Sequence, residues 1–182
     1  MRKLALLLAA AVTIAVAAGC NPSAVTQYAI NTTSAAASLA QLDQAIDPAV
    51  ASLENRIDLY TPEEQEQLKL LYAELSDLRH TVRTMVHDAG GLGEVLIAAS
   101  EAQRLYIIAK ASYLEARRIV EPRLDGLSAV ERIQVERMDA LARKLDRSFQ
   151  VLFSGVEGRD ISPILGDLLA VAATVARVVV LR

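Results

Sequence analysis

The sequence predicts an all-α protein, an up-and-down bundle of four to five helices. Hydrophobic residues make up 53% of the 182 residues, but aromatic residues only 4%, and Trp is absent. That composition suits helices rich in Ala and Leu better than a β-sandwich. Apolar residues recur at three- and four-residue spacings, and Gly or Pro stands between the periodic segments. No useful length of chain alternates apolar and polar residues, so no strand is predicted.

The N-terminus carries the pattern of an export signal. Arg2 and Lys3 precede an apolar run from Leu4 to Ala18. This run has about the length of a secretory signal and is short for a membrane span. Residues 1–19 are therefore predicted as a cleaved signal peptide, and residues 20–182 as one helical-bundle domain. A chain of this length supports one domain with a sizeable core rather than two.

The segment Ala17-Ala18-Gly19-Cys20 follows and contains the only cysteine of the chain. It resembles the lipobox of bacterial lipoproteins, in which small residues precede a cysteine that is lipidated, for example with palmitate, and becomes the mature N-terminus. The resemblance covers the first twenty residues and implies cleavage between Gly19 and Cys20. It also implies a membrane anchor on Cys20, which is durable when two or three acyl chains are present. Ala17 stands where the family most often has Leu.

The resemblance also implies a location in the bacterial cell envelope. In Gram-negative lipoproteins, Asp directly after the lipidated cysteine favours retention in the inner membrane. This chain has Asn21 at that position. The outer membrane, with the protein facing the periplasm, is therefore the expected location.

The first segment of the mature chain, residues 22–60, predicts a long helix. Its larger apolar residues keep three- and four-residue spacing on both sides of Pro48. A single helix kinked at Pro48 is favoured over two helices, the second of which Asp47 would cap. Residues 20–37 offer only a thin apolar face, so part of this stretch is expected to serve as a tether.

Capping signals locate the later helices. Thr61 and Glu64 form a capping box with Pro62 at the first helical position, and Ser128 and Glu131 form a second box. The predicted helices after the first span roughly residues 62–89, 94–120, 129–154 and 162 to the C-terminus. The short connections predict antiparallel neighbours, as in a bundle with coiled-coil-like packing.

Two histidines on one helix suggest a metal site, but their spacing argues against it. His80 and His87 share one helix face with Asp77 and Asp88. Seven residues along a helix separate the imidazoles by about 10 Å, too far to share one ion. This face also lies opposite the side of the helix that carries its apolar residues. We therefore expect both histidines at the protein surface, and no metal or other cofactor.

Enzymes and nucleic-acid-binding proteins are disfavoured. No Gly-x-Ser-x-Gly motif is present, and no cysteine is left after lipidation of Cys20. The glycines at 90, 91 and 93 lack the Lys-Ser/Thr of a phosphate-binding loop. Arginines interleave with acidic residues, and removal of residues 1–19 leaves 17 basic against 22 acidic residues. A non-enzymatic protein that binds no nucleic acid is therefore expected.

Charge is divided unevenly along the chain. Residues 43–101 carry twelve acidic and four basic residues, a net charge of −8, whereas residues 102–182 carry ten and thirteen, a net charge of +3. Two interpretations stay open: the halves dock on each other, or the polarised surface selects a partner.

The last helix is apolar around most of its circumference, which requires cover on several sides. Three interpretations stay open. It is the central helix of the bundle, it contacts a partner or a second copy, or it contacts the membrane. Asp167 and Arg177 argue against the last. For the partner interpretation, the candidate contact residues are Leu168, Val175 and Val179.

These features favour a lipid-anchored, non-enzymatic interaction or scaffold module of the cell envelope. Its partners would be the membrane, through Cys20, and an envelope protein or a second copy of the chain. An alternative is a bundle that binds an apolar ligand, which a large apolar cavity would indicate. A further alternative is a phage- or plasmid-encoded lysis or exclusion lipoprotein, which the neighbouring genes would indicate.

Overall fold

A computed structural model describes residues 26–89, 93–152 and 160–181. The chain forms an all-α bundle with one small sheet, which confirms the predicted fold class. Two short 3-10 helices lie between the main elements, at Ile57–Leu59 and Glu121–Gly126. The strands and helices are β1 (Gln27–Asn31), α1 (Thr32–Glu54), α2 (Pro62–Asp88), β2 (Glu94–Ala98), α3 (Ala99–Val120), α4 (Ala129–Leu152) and α5 (Ser162–Val178).

The two strands correct the prediction that the chain has none. They pair antiparallel, from Gln27 opposite Ala98 to Asn31 opposite Glu94. Helix α3 consequently begins at Ala99, five residues later than the spacing predicted. The segment Glu94–Ala98 contains a short run of large apolar residues, which periodicity alone assigns equally well to a strand or to a helix end.

Of residues 20–37, part of which is expected to serve as a tether, residues 27–37 form β1 and the first turns of α1. Tyr28, Ile30 and Ala35 are buried in the main core. The chain therefore belongs to the folded domain from β1 onward. Residues 20–25 lie outside the described part of the chain.

Helix α1 is continuous across Pro48, as the regular spacing of apolar residues on both sides of Pro48 predicted. Pro48 lies on the exposed side, while Ile46 and Ala49 beside it are buried. The Asn31 side chain caps the helix by accepting a hydrogen bond from the Ser34 amide at 3.0 Å. Arg79 and Arg83 of α2 form ion pairs with Asp43, on the exposed side of the α1–α2 contact.

Helix α5 is the central helix of the bundle. It packs against α1, α3 and α4, while α2 packs between α1 and α3. Tyr60 and Tyr72 donate hydrogen bonds to the carbonyl oxygens of Val179 and Ala176, at 3.2 and 3.0 Å. These bonds satisfy backbone acceptors at the helix C-terminus, where no intrahelical partner exists. The open question about the last helix is thereby answered in favour of the central position.

Both predicted capping boxes are present. The Thr61 hydroxyl accepts from the Glu64 amide at 3.3 Å, and the Glu64 carboxylate accepts from the Thr61 amide at 2.8 Å. Ser128 and Glu131 repeat the arrangement at the start of α4. Each helix start is thus defined by its own local sequence.

Replacing the cap of α2 tests this local control. Thr61→Ala is expected to lower the free energy of unfolding by about 1 kcal/mol, because backbone amides lose their acceptor. Thr84→Ala, at an exposed position of the same helix, should leave stability unchanged or slightly raised, since Ala has the higher helix propensity. Urea unfolding followed by circular dichroism measures both, and equal losses would contradict the capping role.

Candidate interaction surface

The residues predicted from the lipobox resemblance, Gly19 and Cys20, lie outside the described part of the chain. The described part contains no helix that combines the length and the apolarity needed to cross a membrane.

The three residues assigned to partner contact are core residues. Leu168 is 3% exposed, and Val175 and Val179 are fully buried. Neighbouring elements of the same chain cover them, because α5 lies between α1, α3 and α4. The sequence-based assignment of a contact surface to these side chains is therefore corrected: an all-round apolar helix indicates burial, and here the chain itself supplies the cover.

The histidines occupy the surface. His80 and His87 are exposed on α2, and the ring of His87 lies 3.3 Å from the carboxylate of its neighbour Asp88. Within the described ranges, no three His, Cys, Asp or Glu side chains are placed to hold a metal ion.

A cavity near the sheet measures only about 10 Å³. That is about the room one water molecule needs, far below the hundreds of cubic ångströms of a typical small-molecule pocket. This cavity therefore does not favour the apolar-ligand alternative. Its lining is apolar and consists of Ile97, Ala102, Leu105, Phe149, Ile161, Ile164, Leu165 and Leu168.

A polar layer joins α3 to α4. Tyr106 and Lys110 both donate to the Asp146 carboxylate, and two helical turns away along α4, Asp139 accepts from Tyr113 at 3.1 Å. Burial raises the pKa of Tyr106 to about 12, and the hydrogen bond to Asp146 adds to the effect. The two α4 carboxylates that face α3, Asp139 and Asp146, therefore already have hydrogen-bond donors within the bundle.

The outer face of α4 keeps its basic residues unpaired. Arg137, Arg143 and Arg147 are exposed, and none lies within 4.0 Å of a carboxylate in the described residues. Lys144 differs, because it pairs with Asp167 of α5 at 2.7 Å. The face therefore carries an excess of positive charge available to a partner.

The outer face of α2 is acidic and has an apolar residue within it. Glu66, Glu74 and Asp77 are exposed, and Leu70 between them is 59% exposed. Partial burial raises the pKa of Glu74, and the nearby Glu115 carboxylate raises it further, against the lowering effect of a hydrogen bond from Ser112. Among the described residues, no Lys, Arg or His nitrogen lies within 4.0 Å of the Glu74 carboxylate, which accepts a hydrogen bond from the neutral Ser112 hydroxyl.

Helix α3 lies between these two faces and exposes an apolar stripe. Ile107 is 37% exposed, Leu114 is 55% exposed, and the exposed Ala111 lies between them. These positions are four and three residues apart, which places them on one side of a helix. An acidic, an apolar and a basic stripe thus lie side by side on α2, α3 and α4.

Ion pairs between the two oppositely charged parts of the chain are few. Two of the described pairs join residues 43–101 to residues 102–182. Arg123 with Glu64 connects separate elements, whereas Arg104 with Glu101 is a local pair within α3. The others join residues of the same part. Charge attraction between the halves therefore contributes little to docking, and the polarised outer faces are left unneutralised.

Sequence reasoning missed these stripes, although one signal was present. Ile107, Ala111 and Leu114 recur at four- and three-residue spacing in the sequence, which is the spacing of one helix face. Which helices flank α3, and hence which charges border the stripe, depends on the tertiary arrangement.

A scan against protein-family models found no matching family, and searches of curated proteins and of solved structures found no similar chain.

Proposed function

We propose that this chain is a lipid-anchored cell-envelope protein that acts as a non-enzymatic interaction module. Cys20 would hold it at the outer membrane, and the helical bundle would present its outer faces to an envelope protein. The observation that carries the proposal is the single cysteine directly after Ala17-Ala18-Gly19, at the end of an apolar segment with a basic start.

The position of the fold relative to Cys20 supports an anchored module. Strand β1 begins at Gln27, and Thr26 accepts a hydrogen bond from the Ala99 amide at 2.8 Å. Six residue steps separate Cys20 from Thr26, and they span at most about 20 Å when extended. A lipid on Cys20 would therefore keep the sheet end of the bundle close to the bilayer.

The outer faces support an interaction role. The core is completed by the chain's own central helix, while unpaired arginines on α4 and exposed acidic residues on α2 remain at the surface. Charged faces of this kind favour selection of a complementary partner.

The anchor is tested by moving the cysteine. The unchanged protein is expected to incorporate an alkyne-labelled palmitate analogue and to fractionate with outer membranes. Cys20→Ser should abolish both, because the acyl acceptor is gone. A double variant, Cys20→Ser with Ser23→Cys, keeps one thiol outside the lipobox pattern and should also stay unlabelled. Labelling or firm membrane association of Cys20→Ser would overturn the anchor.

The partner is tested by crosslinking in cells. A tagged chain is expected to bring down a discrete envelope protein, and that protein should be lost with Cys20→Ser, because the unanchored module no longer stays beside it. Recovery of the chain alone, or of nothing, would overturn the protein-partner part of the proposal.

A further inference from the structure

We infer that the outer face of α4 rests on an anionic phospholipid bilayer, so that the bundle lies on its side along the membrane. This inference rests on the proposed function, because the anchor brings the chain to the bilayer. It assigns α4 to the lipid surface and leaves the acidic face of α2 to the envelope protein. Three features support it: the spacing of the exposed residues on α4, their charge, and the position of the helix end beside the sheet.

The exposed residues of α4 recur at three- and four-residue spacing, which places them on one face of the helix. Three of them are aliphatic and large, with exposed fractions of 68%, 58% and 52% at positions 130, 133 and 151. The series consists of Val130, Ile133, Arg137, Ala140, Arg147 and Val151. Lys144 fills the remaining place and pairs with Asp167 of α5 at 2.7 Å. The buried residues of α4 have the same spacing on the opposite side, where the bundle covers them.

Acidic and basic residues lie on different sides of α4. Of its four acidic residues, three have roles within the chain. Glu131 forms the capping box, and Asp139 and Asp146 accept hydrogen bonds from α3. The fourth, Glu136, is exposed. The outer face nevertheless has a net positive charge, from the exposed residues Arg137, Arg143 and Arg147.

Aliphatic side chains at both ends of this face and arginines in its middle suit a lipid surface. A helix of this kind lies in the interface, where apolar residues enter the acyl boundary and guanidinium groups bind lipid phosphates. A second copy suits the face less well. Two copies of the face in register, in either helix direction, bring their basic residues together, which charge repulsion opposes. Contact with the acidic α2 face of another copy leaves that copy's own α4 face uncovered, so further copies would add without closure.

The fold places one end of this face beside the anchored sheet. Phe149 of α4 and Ile97 of β2 line the same small cavity, so the C-terminal end of α4 lies next to the sheet. The sheet itself begins within about 20 Å of Cys20. From Val151 near this end, the face extends about 30 Å along α4 to Val130. An anchor so close to the face keeps its effective concentration at the bilayer high, and weak contacts then suffice.

A fluorophore on a single cysteine tests which face meets the lipid. In the full chain carrying Cys20→Ser, Ala140→Cys is the only cysteine. The apolar segment 4–18 attaches this chain to vesicles without an acyl chain, so failure here would overturn the inference and leave the anchor untouched. With vesicles of phosphatidylcholine and phosphatidylglycerol in equal parts, emission is expected to shift to the blue and to be quenched by brominated lipid. Neutral phosphatidylcholine should give a much smaller shift, and Ala40→Cys, exposed near the middle of α1, should stay aqueous with both.

Charge reversal tests the contact itself. Arg137→Glu with Arg147→Glu should lower the docking equilibrium constant, read from quenching of the Ala140 label, at least about tenfold, because two attractive charges become repulsive. Arg56→Glu with Lys69→Glu makes the same change in net charge at exposed positions outside α4 and should leave docking unchanged. Equal losses from the two double variants, equal shifts at both labelled positions, or no shift would overturn the inference. A blue shift of the Ala140 label without vesicles would also overturn it, since a second copy would then cover this face.

Discussion

Val171→Asp is expected to prevent the chain from folding at neutral pH. Val171 is fully buried near the middle of α5, the helix that α1, α3 and α4 surround. A carboxylate there loses its hydration and gains no cation, which costs at least several kcal/mol. The total stability of a domain is only about 5–15 kcal/mol. Loss of the helical circular dichroism signal, or rapid proteolysis across the bundle, measures the effect.

Val130→Asp is the matched control for this substitution. Val130 is 68% exposed in the first turn of α4, where the helix dipole favours negative charge. Its unfolding free energy should stay within about 0.5 kcal/mol of the unchanged protein. If Val171→Asp unfolded at nearly the same urea concentration as this control, the central position of α5 would be wrong.

Local signals in the sequence predicted much of this fold. The capping boxes at Thr61 and Ser128 mark helix starts that the structure confirms, because a cap depends on residues within one turn. The continuous helix through Pro48 was predicted from the spacing of its apolar residues, which is likewise a local property of the sequence. The strands were missed because a two-stranded pairing joins residues 27 and 98, far apart in the chain.

The interaction surface could not be predicted in the same way. Leu168, Val175 and Val179 were assigned to partner contact, since a sequence does not say whether cover for an apolar helix comes from its own chain. The stripe at Ile107 and Leu114 was overlooked, because its meaning depends on which charged faces border α3. Those neighbours are set by tertiary packing.

Raising the pH from about 10 to about 12 is expected to destabilise the bundle through its buried tyrosines. Burial raises the pKa of Tyr72, with a further contribution from Tyr60, and burial together with Asp146 raises the pKa of Tyr106 to about 12. In the unfolded chain, tyrosine ionises near pH 10. Because the folded-state pKa is the higher one, the stabilising contribution is complete below about pH 10 and is lost as the pH rises toward the folded value.

Tyr72→Phe separates this titration from a simple loss of stability. At about pH 8 the variant should lose about 1–3 kcal/mol, because the Ala176 carbonyl loses its buried hydrogen-bond donor. Above pH 10 its stability should fall less steeply than that of the unchanged protein, by about 1.4 kcal/mol per pH unit. Thr61→Ala, which weakens the fold without removing a titrating group, should keep the unchanged slope. Urea unfolding at a series of pH values, with phenolate absorbance recorded in parallel, measures these slopes. An identical slope for Tyr72→Phe and the unchanged protein would mean that Tyr72 ionises without opening the fold.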